Sequence, residues 1–133
     1  MTPAPASYED VDPFDLPEVL GTAEVTWSSI DGLHGGHRVR GLLTPEDGEP
    51  LACDLMAIDE AFPLPVADDA LRLRVHQAWR HGQVLLVRYD GRLTILMPGT
   101  GFDADLVLEA IGRLAKALGA SPFAFAVHLR LGG

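Results

Sequence analysis

The sequence predicts an α+β domain in which an antiparallel β-sheet carries two α-helices on one face. Several short segments alternate apolar and polar residues with a period of two, which is typical of strands. Two longer segments, 67–82 and 103–119, place apolar residues at helical spacing. Asp-Gly pairs at 47–48 and 90–91 lie between apolar segments, and such pairs favour tight turns between antiparallel strands.

The first half of the chain predicts a meander of three strands. Residues 23–30 alternate with a period of two, and residues 37–44 follow after a glycine-rich loop. Residues 51–58 continue the meander after the turn at 47–48.

Two amphipathic helices are predicted, and their ends carry capping signals. Asp68 and Asp69 suit the start of the first helix and Gly82 suits its end, while Asp103 and Gly119 suit the two ends of the second. The apolar stripes consist of Leu71, Val75, Ala78 and Trp79 in the first helix and of Val107, Ile111, Leu114 and Leu118 in the second.

The clearest signal is a hairpin over residues 83–99 with Asp90 and Gly91 as its turn. With these turn residues, one face pairs Tyr89 with Arg92, Val87 with Thr94 and Leu85 with Leu96. The opposite face holds Val84, Leu86, Leu93, Ile95 and Met97. A last strand, 121–131, alternates Phe123, Phe125, Val127 and Leu129 with Ala124, Ala126, His128 and Arg130, and its aromatic side is expected to be the inner one.

From residue 51 to 131 the predicted order is β-α-β-β-α-β, the ferredoxin-like split βαβ order, and an N-terminal β-hairpin precedes it. In this arrangement the two helices cover one face of a four-stranded antiparallel sheet. The alternative is the βββαββα order, in which the chain resembles small secretion-chaperone-like and roadblock-like domains. That resemblance rests on element order alone, and the last strand counts against it.

Length and proline content predict the domain organisation. The 133 residues suit one domain with a single core. Residues 1–20 contain four of the ten prolines and five acidic residues, so we expect a poorly ordered acidic arm there and a single α+β domain over residues 21–133. The only cysteine, Cys53, lies in an apolar segment and is expected to be buried rather than reactive.

Charge and hydropathy argue against several classes of function. The net charge of −9 divides into −13 over residues 1–70 and +4 over residues 71–133. The sequence has neither an apolar run of about 18 residues nor a signal-peptide pattern, so a cytoplasmic protein without membrane contact is expected. Overall negative charge and the lack of stacking aromatics argue against nucleic-acid binding. The one candidate for it is the basic helix face of Arg72, Arg74, His76 and Arg80.

Candidate metal and catalytic residues are weak, and no cofactor is expected. His34 and His37 in the GLHGGH loop supply only two ligands, with Asp31 as a distant third, whereas zinc needs three or four. The serines lack the sequence context of an activated nucleophile, so an enzyme is not favoured. A divalent cation could be held by Asp54, Asp59 and Glu60 with Asp68 and Asp69, but their spacing fits no calcium loop, and a solvated acidic loop is expected instead.

The sheet face opposite the predicted helices is too apolar to be left in water. It is expected to present Leu85, Val87, Tyr89, Arg92, Thr94, Leu96, Ala124, Ala126, His128 and Arg130. The N-terminal strands, the acidic arm, a second copy or a ligand would cover it. We therefore expect a non-enzymatic, chaperone-like adaptor domain that forms a homodimer through this face and binds an unidentified protein. The alternatives are a small-ligand-sensing regulatory domain with its pocket at the dimer seam and a small enzyme on a sheet-face dimer.

Overall fold

The computed structural model describes residues 8–30, 38–58, 69–89, 91–99 and 102–129, and these form a mixed α+β structure with one open eight-stranded sheet. The strands are β1 (Tyr8–Asp10), β2 (Val25–Ser29), β3 (Arg38–Val39), β4 (Gly41–Pro45), β5 (Leu51–Ile58), β6 (Leu85–Tyr89), β7 (Arg92–Pro98) and β8 (Phe125–His128). The helices are α1 (Val19–Thr22), α2 (Asp69–Arg80) and α3 (Ala104–Ala117), and 3-10 turns occupy Pro13–Asp15 and Pro122–Ala124.

The strand order is β1-β6-β7-β5-β4-β2-β8, and β3 also pairs with β5. The sheet is mixed, because β5 pairs with β7 and β2 pairs with β8 in parallel. A ferredoxin-like sheet would place the last strand beside β5. Here β4 lies there and β8 pairs with β2, so the predicted ferredoxin-like order is not confirmed. Apart from the short β3, the elements from β2 to α3 follow the order βββαββα, and β8 comes after them.

Helices α2 and α3 pack on opposite faces of the sheet, so the prediction that both cover one face is wrong. Leu96 of β7 lies in a cluster with Leu71 and Val75 of α2. Its neighbour Ile95 lies in the other cluster, with Ile111 of α3, and adjacent strand residues point to opposite faces. The physical reason is that β5 and β7 are apolar almost continuously, which is typical of strands covered on both faces.

The hairpin of β6 and β7 has the register that the sequence predicts. Tyr89 lies opposite Arg92, Val87 opposite Thr94 and Leu85 opposite Leu96. Gly91 has φ +73°, the left-handed conformation that a tight Asp-Gly turn requires of its second residue. Asp90 itself lies outside the described residues. The predicted register is therefore confirmed.

Part of the N-terminal segment that was expected to be a poorly ordered arm makes defined contacts. Strand β1 pairs antiparallel with β6, and the carboxylate of Asp10 accepts a hydrogen bond of 2.9 Å from Arg74 of α2. Leu16 and Leu20 are buried in the core. Two apolar anchors thus hold residues 8–22 against the sheet; residues 1–7 lie outside the described part of the chain.

Trp27 of β2 is the largest fully buried side chain of the main core. Its indole N–H donates a hydrogen bond of 2.9 Å to the backbone carbonyl of Cys53 in β5, which fixes the orientation of the ring. The ring lies against Gly41 of the neighbouring strand β4. A Cβ atom at Gly41 would be 2.3 Å from Cζ2 of the indole, so the ring occupies the space that any side chain there would need.

Replacing Gly41 by alanine is expected to lower the free energy of unfolding by about 1–3 kcal/mol, because the indole cannot move without disturbing a closely packed core. Urea denaturation measures this change. Gly112→Ala in α3 is the control, because nothing lies within 4 Å of a Cβ atom there. That control should be neutral or should stabilise the helix by up to about 1 kcal/mol. If both variants unfold like the parent, the indole does not lie on Gly41.

Candidate functional site

The apolar part of the predicted partner face is covered by α2, so this part of the expectation is corrected. Leu85, Val87 and Leu96 lie in the cluster that α2 closes, and Val87 and Leu96 are almost completely buried. The cover is therefore an element of the same fold and is none of the four expected from the sequence. The physical reason is that β5 and β7 are apolar on both faces and are covered on both, whereas the predicted arrangement has both helices on the opposite face.

The middle of the same face carries a buried ion cluster centred on Asp54 of β5, whose side chain is fully buried. Arg92 of β7 binds it through two hydrogen bonds, Nε to Oδ2 at 2.9 Å and Nη2 to Oδ1 at 3.0 Å. Arg38 of β3 donates from Nη2 to Oδ2 at 2.9 Å, and the backbone N–H of Gly41 donates to Oδ1 at 3.2 Å. One carboxylate thus joins β3, β4, β5 and β7.

This cluster has a structural role: it holds neighbouring strands together. The oxygens of Asp54 already accept hydrogen bonds from two guanidinium groups and one amide. The guanidinium of Arg38 also lies 5.4 Å from the ring centre of Tyr89, within the range of a cation–π contact. Thr94 is buried beside the cluster. The expectation that Asp54 belongs to a solvated acidic loop is therefore wrong, because it lies in β5 and is fully buried. The missed signal is that a lone charge within an apolar strand needs a buried partner.

The other candidate metal ligands do not form a site in the described residues. Asp69 begins α2 and pairs with Arg72. Asp31, His34, His37, Asp59, Glu60 and Asp68 lie outside the described residues. Within the described part of the chain, no group of three or more His, Cys, Asp or Glu side chains is placed to hold a metal ion.

Cys53 is fully buried, as predicted. Burial raises the pKa of its thiol well above the usual value, and the neighbouring carboxylate of Asp54 raises it further. A thiol held in its neutral form is a poor nucleophile. The Cys53 side chain therefore acts as a small apolar group in the core cluster that also contains Trp27.

On the basic helix face, two of the four residues form ion pairs and the other two are exposed to solvent. Arg72 pairs with Asp69, and Arg74 pairs with Asp10 of β1 at 2.9 Å. His76 and Arg80 are exposed to solvent. Two of the four predicted groups are therefore paired with carboxylates, one within α2 and one across to β1, which reduces the positive potential that this face offers to a nucleic acid.

A second surface remains on the half of the sheet farthest from α2, which packs on β6 and β7. We call it the open half-sheet: the face of β4, β2 and β8 that points away from α3. Cross-strand pairs join Thr26 with Thr44 and Ala126, and Ser28 with His128. The surface consists of Thr26, Ser28, Leu42, Thr44, Ala126 and His128, all small or uncharged and all partly or fully exposed. None of the described helices covers it.

Strand β8 forms one edge of the sheet. Its inner side pairs with β2, and no strand pairs with its outer side in the described ranges. The segment Phe125–His128 contains no Asp, Glu, Lys or Arg. Phe123, just before the strand, is 99% exposed, although the sequence predicts it on the inner face. Ala124 lies in the 3-10 turn and Arg130 lies outside the described residues.

Comparison with known protein families, curated proteins and solved structures finds no match for this chain. Among the described residues, no helix has both the length and the apolar character needed to cross a membrane.

Proposed function

We propose that the chain is a non-enzymatic protein-binding domain that forms a homodimer by pairing the β8 edges of two copies antiparallel about a two-fold axis. The observation that supports this proposal is the uncharged outer side of β8. Unprotected sheet edges are the sites at which a strand of a second chain adds most readily. Antiparallel pairing of one strand with its own copy also satisfies the symmetry of a closed dimer.

The charge distribution favours β8 over the opposite edge. Each copy carries a net charge of −9, so two copies repel, and the contact costs least where the surface is uncharged. Strand β1 at the other edge is only three residues long and contains Glu9 and Asp10. Two β1 strands would bring like charges together, which is destabilising across a strand pair.

The dimer is expected to be weak. A four-residue strand adds only a few hydrogen bonds, each contributing about 0.5–1.5 kcal/mol net. Stable interfaces bury about 800 Å² per partner, which an edge of this length does not reach. We expect a dissociation constant on the order of 10–100 µM. Pairing also places two open half-sheets side by side, and this combined neutral surface is the site that we assign to a second protein partner.

Light scattering over a range of about 10–500 µM tests the proposal. The parent protein is expected to change from the mass of one chain to that of two. The double variant Ala126→Glu with His128→Glu places four acidic groups at the paired edges and should remain monomeric. Its matched control, Gln77→Glu with Ala104→Glu, adds the same charge at exposed positions of α2 and α3 and should still dimerise. A parent that is monomeric at every concentration, or equal effects of both variants, would reject the proposal.

A further inference from the structure

A cavity of about 430 Å³ lies where the end of α2, the start of β6 and one face of α3 meet, and Pro13 closes one side. No residue of β8 lines it, so a ligand bound in the cavity would not depend on the proposed dimer. Three of the described residues that line it carry basic side chains, His81, Arg113 and Lys116, and none of them is Asp or Glu. The lining residues thus bear basic groups in a chain whose net charge is −9, and Glu109, which does not line the cavity, pairs with one of them, Arg113.

Arg113 is held rigidly at this cavity. Its Nη1 donates to the carbonyls of Trp79 at 2.7 Å and Gln83 at 3.3 Å, and its Nη2 donates to Glu109 at 2.7 Å. Its guanidinium stacks 3.5 Å from the ring centre of Trp79. These bonds use three of the five N–H groups, so Nε–H and one Nη2–H have no partner among the described residues. A fixed guanidinium loses little entropy when it binds a further anion.

Two further donors line the same cavity. Lys116 lies three residues after Arg113 on α3, so the two side chains share one face of the helix. His81 follows the last residue of α2 and offers an imidazole N–H. Neither side chain makes a hydrogen bond or ion pair with a described residue, and both residues are exposed to solvent. An ammonium, an imidazole and part of a guanidinium are therefore all available to one ligand.

We propose that this cavity binds a small organic phosphate through its phosphate monoester group. Arginine and lysine form short, charge-assisted hydrogen bonds with oxyanions, and a phosphate monoester has three terminal oxygens and more than one negative charge with which to accept from all three donors. At about 430 Å³ the cavity is larger than inorganic phosphate alone requires. Cavities of this volume are typical of small-molecule sites.

The proposal is tested by titrating the full chain with each of three probes at constant ionic strength and monitoring the NMR chemical shifts of its N–H groups. The probes are glycerol 3-phosphate, inorganic phosphate and neutral glycerol. We expect glycerol 3-phosphate to saturate with a dissociation constant on the order of 1 mM and to shift the signals of Gly82, Gln83 and the Nε–H of Arg113. Inorganic phosphate should bind more weakly, and glycerol should have no effect.

Lys116→Gln removes one charge from the cavity and should weaken binding about tenfold, the effect of losing one charge-assisted contact. Arg88→Gln removes the same charge from an exposed position of β6 that does not line the cavity, and should change the affinity less than about twofold. Equal weakening by both variants would show general attraction of anions and reject the site. Equal affinity for inorganic phosphate would reject an organic ligand, and shifts that spread over the surface would reject the cavity.

Discussion

A glutamate in place of Val87 is expected to unfold the protein or to lower its free energy of unfolding by more than about 3 kcal/mol. Val87 is fully buried between the sheet and α2, in a cluster with Met56, Ile58 and Leu71. A carboxylate there loses its hydration and gains no cationic partner from the apolar side chains around it. Asp10, directly opposite Val87 on β1, is also negative, and the guanidinium of Arg92 on the same face is already bound to Asp54.

The melting temperature measures this effect, since about 3 kcal/mol corresponds to a decrease of roughly 10 °C in a chain of this size. Leu73→Glu is the matched control, because it makes a similar change on the outer side of α2, where Leu73 is 59% exposed. That variant should remain within about 0.5 kcal/mol of the parent. A Val87→Glu protein that melts like the parent would mean that α2 does not cover this face.

Asp54→Ala is expected to lower the free energy of unfolding by about 3 kcal/mol, the lower end of the range for breaking a buried ion pair. The change leaves Arg38 and Arg92 without their shared carboxylate and leaves the Gly41 N–H without its acceptor. The two arginine side chains remain about a quarter exposed, so water partly compensates them.

Urea denaturation with a matched control tests this expectation. Asp69→Ala removes the same charge from an ion pair whose carboxylate is exposed, and it should change stability little. The double variant Asp54→Ala with Arg92→Ala should lose less than the sum of the two single losses, because it leaves fewer unpaired charges. Additive losses, or an effect of Asp54→Ala no larger than that of Asp69→Ala, would show that Asp54 does not hold the strands together.

The sequence predicts best those elements that local chemistry determines. The register of β6 and β7 follows from one Asp-Gly turn and strict alternation, and the structure has the same pairs. Helix α3 begins after Asp103, whose carboxylate accepts a hydrogen bond of 2.7 Å from the N–H of Leu106, as a capping residue should. In both cases the residues that determine the structure are neighbours in the sequence.

Contacts between distant segments could not be predicted in this way. Strand β8 pairs with β2, about 100 residues earlier in the chain, and no local pattern selects β2 over β5. The position of α2 depends on the apolar character of both faces of β5 and β7, a pattern that indicates two-sided burial but not which helix lies on which face. The cavity beside Arg113 combines residues from α2, β6 and α3, so no single segment reveals it.

Amide hydrogen exchange at two protein concentrations tests most directly the central proposal, self-association through β8. The rates are measured below and above the concentration at which light scattering detects association. We expect the outward-facing amides of β8 to exchange more slowly at the higher concentration, because they donate to the paired strand, while the amides of β1 exchange at the same rate. Slower exchange in β1 or over α2, or unchanged rates in β8 while the mass doubles, would contradict the proposal.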